Sequence, residues 1–520
     1  MKSTSLSLIA GTVALAAVTG FAALTAPGDG DTAQAKTAAR LPVERSSLLC
    51  PAPGLSELAE TTYTSFTPAG GGSGGEAGAA ELHKATATTA DGVKKDEKTE
   101  KTEKDEKTGK KDDKGGKKAD LGKPVVSLKE PGKPVTAEES GADNPALVGT
   151  ATGRLAPGWT TQQTTMVEAG SARGLLGVSC TAPDTDFWFP AASTSKSRED
   201  YVHLTNPDDT AAVADIELYG PDGSLKSDVG EGITVPARSG VPVLISTLTS
   251  EVTEDVTVHV TTRTGRVGAA IRTADEKTGS DWLAASTTPT GTLVLPGIPA
   301  DATSVRLVAF APGEADADLT VKLMGKTGSF APVGQNQLHV KSRMTAGVDL
   351  KDITKGEAGS LLLAPAKGKK ATPVVAALRV VRGTGDKQEV GYIPATGPVG
   401  ARATVADNRD KGSMLSLAAP GATATVKVTA SAGSGGGEQT VKKYTVKGGT
   451  TLAVTPPVPS GLKGGYALTV ETESGGPVHA SRMLTITEGG IQMFTVQTLS
   501  DDNGTVEVPV AEQDLSVLDD

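Results

Sequence analysis

One phrase recurs four times along this chain and limits what the chain can become. Gly174-Leu175-Leu176-Gly177-Val178-Ser179, Arg266-Val267-Gly268-Ala269-Ala270-Ile271-Arg272, Pro373-Val374-Val375-Ala376-Ala377-Leu378-Arg379 and Pro477-Val478-His479-Ala480-Ser481-Arg482-Met483 read as one strand copied at intervals of about 90 to 107 residues. Each leads over a short link to an aromatic residue: Trp188, Trp282, Tyr392 and Phe494 in turn. The openings correspond too, since 201–213 (YVHLTNPDDTAAV), 305–321 (VRLVAFAPGEADADLTV) and 414–426 (MLSLAAPGATATV) each pair a strand, a turn and a second strand. A repeat near 100 residues is long enough to be a domain with its own core.

Inside the repeat the grammar is that of hairpins. Runs such as 213–219 (VADIELY) and 256–260 (VTVHV) are rich in β-formers, and Gly220-Pro221-Asp222-Gly223 is turn chemistry. With 63 glycines, 31 prolines and 3% aromatics, short strands and many turns are favoured over helix. About seven short strands per repeat predict an all-β chain of tandem immunoglobulin-like β-sandwiches. The rival is a β-propeller, in which four repeats supply about eight four-stranded blades. The expected units are a targeting segment at 1–35, a first β unit at 41–193 interrupted by a disordered insertion at 68–144, and sandwich repeats at 194–290, 291–400 and 401–520, the last with a C-terminal tail.

The terminus before the first unit is a targeting segment. Leu6 to Ala26 carries no charge behind Lys2, which is long enough as a helix to cross about 30 Å of hydrocarbon. Ala33-Gln34-Ala35 offers small residues where a signal peptidase cuts, so cleavage and a retained anchor both stand. Export agrees with the cysteines. There are two, Cys50 and Cys180, and an oxidising compartment would join them in a disulfide; two buried free thiols are the alternative. Between them, 94–118 mixes both charge signs with almost nothing apolar to bury, as a solvated spacer does.

The apolar opening, the CPAPG phrase at 50–54, SCTAPDTDFWFPAAS at 179–193, LTNPDDTAAVADIELYGPDG at 204–223 and the recurring PVVAALR strand together resemble an uncharacterised actinobacterial family of exported proteins, domain-of-unknown-function family 5719. The likeness extends over most of the chain after Leu41 apart from the charged insertion. It implies no activity, cofactor or catalytic residue.

The residues themselves nominate no catalytic centre. His83, His203, His259, His339 and His479 are scattered one per region, no CxxC or HExxH is present, and no nucleophile elbow or phosphate loop occurs. No metal and no cofactor is expected. Asp316-Ala317-Asp318 and 501–504 (DDNG) carry oxygens of the kind that hold calcium, yet turns select the same residues. Trp188, Trp282, Tyr392 and Phe494 are candidates for a ligand-stacking surface, with packing between repeats as the alternative. A net charge of −10 argues against nucleic acid. Membrane contact is expected only through the N-terminal helix. The function expected is therefore a non-enzymatic structural or interaction protein of the cell envelope, secreted or anchored outside the cytoplasmic membrane, with envelope proteins or wall polymer as partners. The alternative is an accessory protein that binds envelope glycans.

Overall fold

Short runs of alternating small and β-branched apolar residues, closed by glycine and proline turns, form strands throughout. The structure, a computed structural model, describes residues 39–54, 56–70, 77–87, 122–170, 172–227 and 229–508; the expected targeting segment and the charged run 94–118 lie outside them. Among the described residues helix is limited to the 3-10 turns Gly153–Leu155, Ile245–Thr247 and Gly385–Lys387, and no helix is long and apolar enough to cross a membrane.

Four copies of one eight-stranded sandwich follow one another. They run from Arg45–Cys50 to Gly174–Ser179, from Asp186–Ala192 to Gly279–Leu283, from Leu293–Ile298 to Glu389–Pro394, and from Ala403–Asn408 to Ile491–Leu499. Numbering the eight main strands of a copy in chain order, which in the fourth are Ala403–Asn408, Ser413–Ala419, Ala424–Ala430, Thr440–Val446, Thr450–Val454, Tyr466–Gly475, His479–Glu488 and Ile491–Leu499, one sheet has the order 1-6-3-4 and the other 5-2-7-8, and this holds in all four. The immunoglobulin pairings of strand 2 with 5 and 3 with 6 are kept, while strands 1 and 7 exchange sheets. That exchange places strand 8 at a sheet edge.

Sheets pair face to face around apolar cores, so the fold is a set of sandwiches and the propeller reading is overturned. Eight sheets of four or five strands are indeed present among the described residues, beside two two-stranded pairs, but side chains of period two lock the eight together in pairs. Ala424–Ala430, for example, alternates buried and half-buried residues along its whole length. The inward set of the third copy includes Leu295, Leu307, Val321, Leu361 and Leu378. That of the second includes Val202, Leu204, Ile216, Val258 and Ile271. Each such side chain contributes about 1.5–3 kcal/mol by leaving water.

Three expected boundaries move. Asp186–Ala192 opens the second sandwich instead of closing the first, because it pairs with Val256–Thr264 and sends Phe187 and Phe189 into the second core. The stretch 68–144, expected as a disordered insertion, contains the strands Ala80–Lys84, Val126–Leu128 and Val135–Ser140, whose Leu82, Val126 and Leu128 fill the first core. The phrase 174–179 is strand 8 of its copy, whereas the other three phrases are strand 7. Strand 7 of the first copy is Thr160–Val167, TTQQTTMV, whose polar residues hide the repeat; Thr61 and Thr165 there share a buried hydrogen bond of 2.9 Å.

Cys50 and Cys180 form a disulfide that joins the end of strand 1 to the residue after strand 8, closing a separation of 130 residues. By loop entropy such a link is worth about 4–5 kcal/mol. Residues 42–504 form one compact unit; residues 39–41 and Thr505–Val508, which pair as strands, belong to a separate small one.

Within the large unit the copies close on themselves. Strand 8 of each copy touches strand 8 of the next, and that of the fourth touches that of the first. Val390 and Tyr392 of the third copy join the second core, and Phe494 and Val496 of the fourth join the third. Trp282 of the second packs on Val167, Leu176 and Val178 of the first, and Leu175 of the first packs on Leu484 and Met493 of the fourth.

Candidate functional site at the hub

The four closing strands meet where backbones must approach closely, and their sequences are built for it. At Gly177 a Cβ would lie 2.3 Å from Gln497 Nε2 and 2.6 Å from Thr495 Cγ2, so only glycine lets the first and fourth copies come together there. Gly391 is placed likewise, with Phe494 Cε2 at 2.7 Å from a Cβ.

Asp281 is the knot of this hub. Its side chain is fully buried. The Gly177 N–H of the first copy donates to Oδ1 at 3.0 Å, and the Thr495 hydroxyl of the fourth lies 3.0 and 3.1 Å from the two carboxyl oxygens. The N–H groups of Trp282 and Tyr392, in the second and third copies, also donate to it. Gln497 Nε2 supports the arrangement by donating to Thr495 Oγ1 at 2.8 Å. Burial pushes the carboxyl well above the usual carboxylate range, against the pull of these donors. One side chain thus bonds to all four copies.

A second link ties the first copy to the third. Arg173 Nε donates to Glu389 Oε1 at 2.8 Å and its Nη2 donates to the Gln388 carbonyl at 2.7 Å. The Glu389 carboxyl is pushed up to about 7, chiefly by burial and against the nearby guanidinium.

At the C-terminal ends of the closing strands lies a cavity of about 450 Å³. Gly177 and Ser179 border it from the first copy, Trp282 from the second, Tyr392 from the third and Gln497 from the fourth. The indole Nε1 of Trp282, the Tyr392 hydroxyl and Gln497 Oε1 are buried and have no hydrogen-bond partner among the described residues. These atoms have almost no accessible surface and are sealed from the cavity, whose open lining includes Ser500, Asp501 and Asn503.

The four expected stacking aromatics are all buried, none more than 8% exposed. Trp282 and Tyr392 meet at the cavity, while Trp188 and Phe494 do not border it. Trp188, which lies on strand 1, stacks on His259 at 3.6 Å between ring centres and faces Phe310 of the third copy at 5.5 Å. Phe494 lies beneath the Arg382 guanidinium at 4.8 Å. All four rings therefore pack at contacts between copies.

Among the described residues no group of three or more His, Cys, Asp or Glu could hold a metal ion. Asp318 is engaged by His339 and Lys369, and Asp501 accepts from the Ala401 and Asn503 N–H groups. Asp281, Thr495, Arg173 and Glu389 escape a reading of the sequence. The one trace they leave is a charged residue inside an apolar strand, as in 279–283 (GSDWL).

No curated protein matches the chain. A family model does, over residues 135–457, from the fifth strand of the first sandwich to just past the fifth strand of the fourth. The CPAPG phrase, included in the expected likeness, lies outside that span, which covers more than half of the sequence. The chain belongs to the family of unknown function designated DUF5719.

Proposed function

We propose that this chain is an exported, non-enzymatic interaction protein of the cell envelope that works on the outer side of the cytoplasmic membrane. The uncharged run from Leu6 to Ala26 and a disulfide within the fold both suit a protein finished in an oxidising compartment. The observation that carries the reading is the hub cavity, to which every copy contributes. Its partners are envelope proteins or wall polymer, and the net charge of −10 disfavours nucleic acid.

The same cavity supports a second reading, binding of an envelope glycan, because hydroxyl-rich ligands pair with hydroxyl, amide and carboxylate groups such as those of Ser500, Asn503 and Asp501 in its open lining. The test is retention of the full chain on purified wall polysaccharide. Ser500→Trp fills the cavity from an exposed position in its lining, so about a tenfold loss of retention is expected for glycan binding. Equal retention of the variant and the parent sinks the glycan reading. Recovery of the oxidised protein in the cytoplasmic fraction would sink the export reading.

A further inference from the structure

The second sandwich carries an arginine that no acid neutralises at short range. Arg272 lies beside a groove of about 780 Å³ formed with Ala52, Gly54 and 142–146 of the first copy. Its guanidinium stands over the Tyr201 ring at 5.1 Å and makes no ion pair or hydrogen bond with a described side chain. Glu199 acts on it only through its field, and burial lowers its affinity for a proton. Two other arginines at contacts between copies have carboxylates, Arg173 with Glu389 and Arg379 with Asp275, whereas the fully buried Arg482 donates, among the described residues, only to the Ala406 carbonyl. Arg272 has the environment of such a pair without the partner.

The groove around it is apolar with few polar groups. Pro145, Ala146, Ile233, Val241, Pro242, Val243 and Leu244 line its walls, and Asp143 is an exposed acid at its rim. His203, 7% exposed, also borders it, and His203 Nε2 has no partner among the described residues. Burial and the adjacent Arg272 hold this imidazole well below its usual range, so it stays neutral. The cross-strand row Leu244, Tyr201, Arg272 runs over the outer face of the sheet with Pro242 beside it, whereas Ile233, Val241 and Val243 turn towards the core, so the cation shares its face with Pro242 and Leu244.

We propose that this groove is a binding site for an amphipathic monocarboxylate, with the acid group on Arg272 and the apolar body along Pro242 and Leu244. A guanidinium fork fits a carboxylate through two parallel hydrogen bonds. The volume lies within the range of small-ligand pockets, where convergent polar groups on an apolar wall are the usual arrangement. The site is distant in sequence and in lining from the hub cavity, and it stands or falls independently of the function proposed for that cavity.

The probe is 11-(dansylamino)undecanoic acid, whose fluorescence reports burial, compared with its primary amide on the full chain. The carboxylate is expected to bind at least about tenfold more tightly than the amide, as a charge-assisted hydrogen bond implies. Arg272→Met should erase that preference while leaving the amide's affinity unchanged, and Arg272→Lys should keep part of it. Leu244→Asn should weaken both probes. Thermal unfolding of each variant separates loss of the site from loss of the fold. Equal binding of acid and amide, an unchanged preference in Arg272→Met, or no binding of either probe overturns the assignment.

Discussion

The sandwich cores and the hub hold this protein together by opposite means. A core such as that of the third copy is aliphatic, built from Leu295, Leu307, Val321, Leu361 and Leu378, and joins strands of one copy. The hub joins copies through Asp281, Thr495, Arg173 and Glu389, groups whose burial costs free energy unless each finds a partner. Apolar packing is tolerant of which neighbour supplies the surface, so it makes a stable module without fixing what sits beside it. A carboxyl that accepts from four copies has one satisfactory arrangement. The difference suggests that stability resides in the cores and the order of the copies in the hub.

The comparison is broken most severely from the core side. Leu378→Ala leaves a cavity in the third sandwich and should cost about 4 kcal/mol, seen as a lower denaturant midpoint. A loss below about 1 kcal/mol would mean that the cores are looser than their burial indicates. From the hub side, Asp281→Ala strands buried donors in four copies and should cost about 3 kcal/mol. Unlike the core variant, it should also separate the unfolding of the copies, so that calorimetry shows a broadened or split transition. A single sharp transition for the Asp281 variant would remove the ordering role assigned to the hub.

The smallest effect concerns protons. Glu389 holds its proton to about pH 7 in the folded chain, compared with 4.5 for an ordinary glutamate. The native state therefore binds more protons than the unfolded state between those values, and stability from this group is full below about pH 4.5 and falls as pH rises towards 7. The fall is on the order of 2–3 kcal/mol. Asp281, raised in the same direction, adds to it. Urea midpoints at pH 5 and pH 8 should differ less in Glu389→Gln than in the parent; an identical difference would show that Glu389 is not the titrating group.

Reading the sequence recovered the strands because the information is local. Alternation in Ala424–Ala430 and the turn at 220–223 are visible within a few residues. The first copy was the hard one. Its strand 7 buries Thr161, Gln163 and Thr165 where other copies bury aliphatic residues, so the eye settles on the next apolar strand and the register slips by one. That slip made Trp188 look equivalent to Trp282, although it lies on strand 1 of the next sandwich.

The sequence by itself determined an all-β chain of about four repeated sandwich-sized units, with two cysteines placed to close the first. Only the tertiary structure decided that the last copy returns to the first, and which polar groups meet when it does. Gly177 and Asp281 are 104 residues apart, Asp281 and Thr495 are 214 apart, and Arg173 and Glu389 are 216 apart. Periodicity reports which face of a strand is buried, because that follows from the pleat of a single strand. It carries no record of which distant edge will be brought against that face, since that depends on how four finished surfaces fit one another.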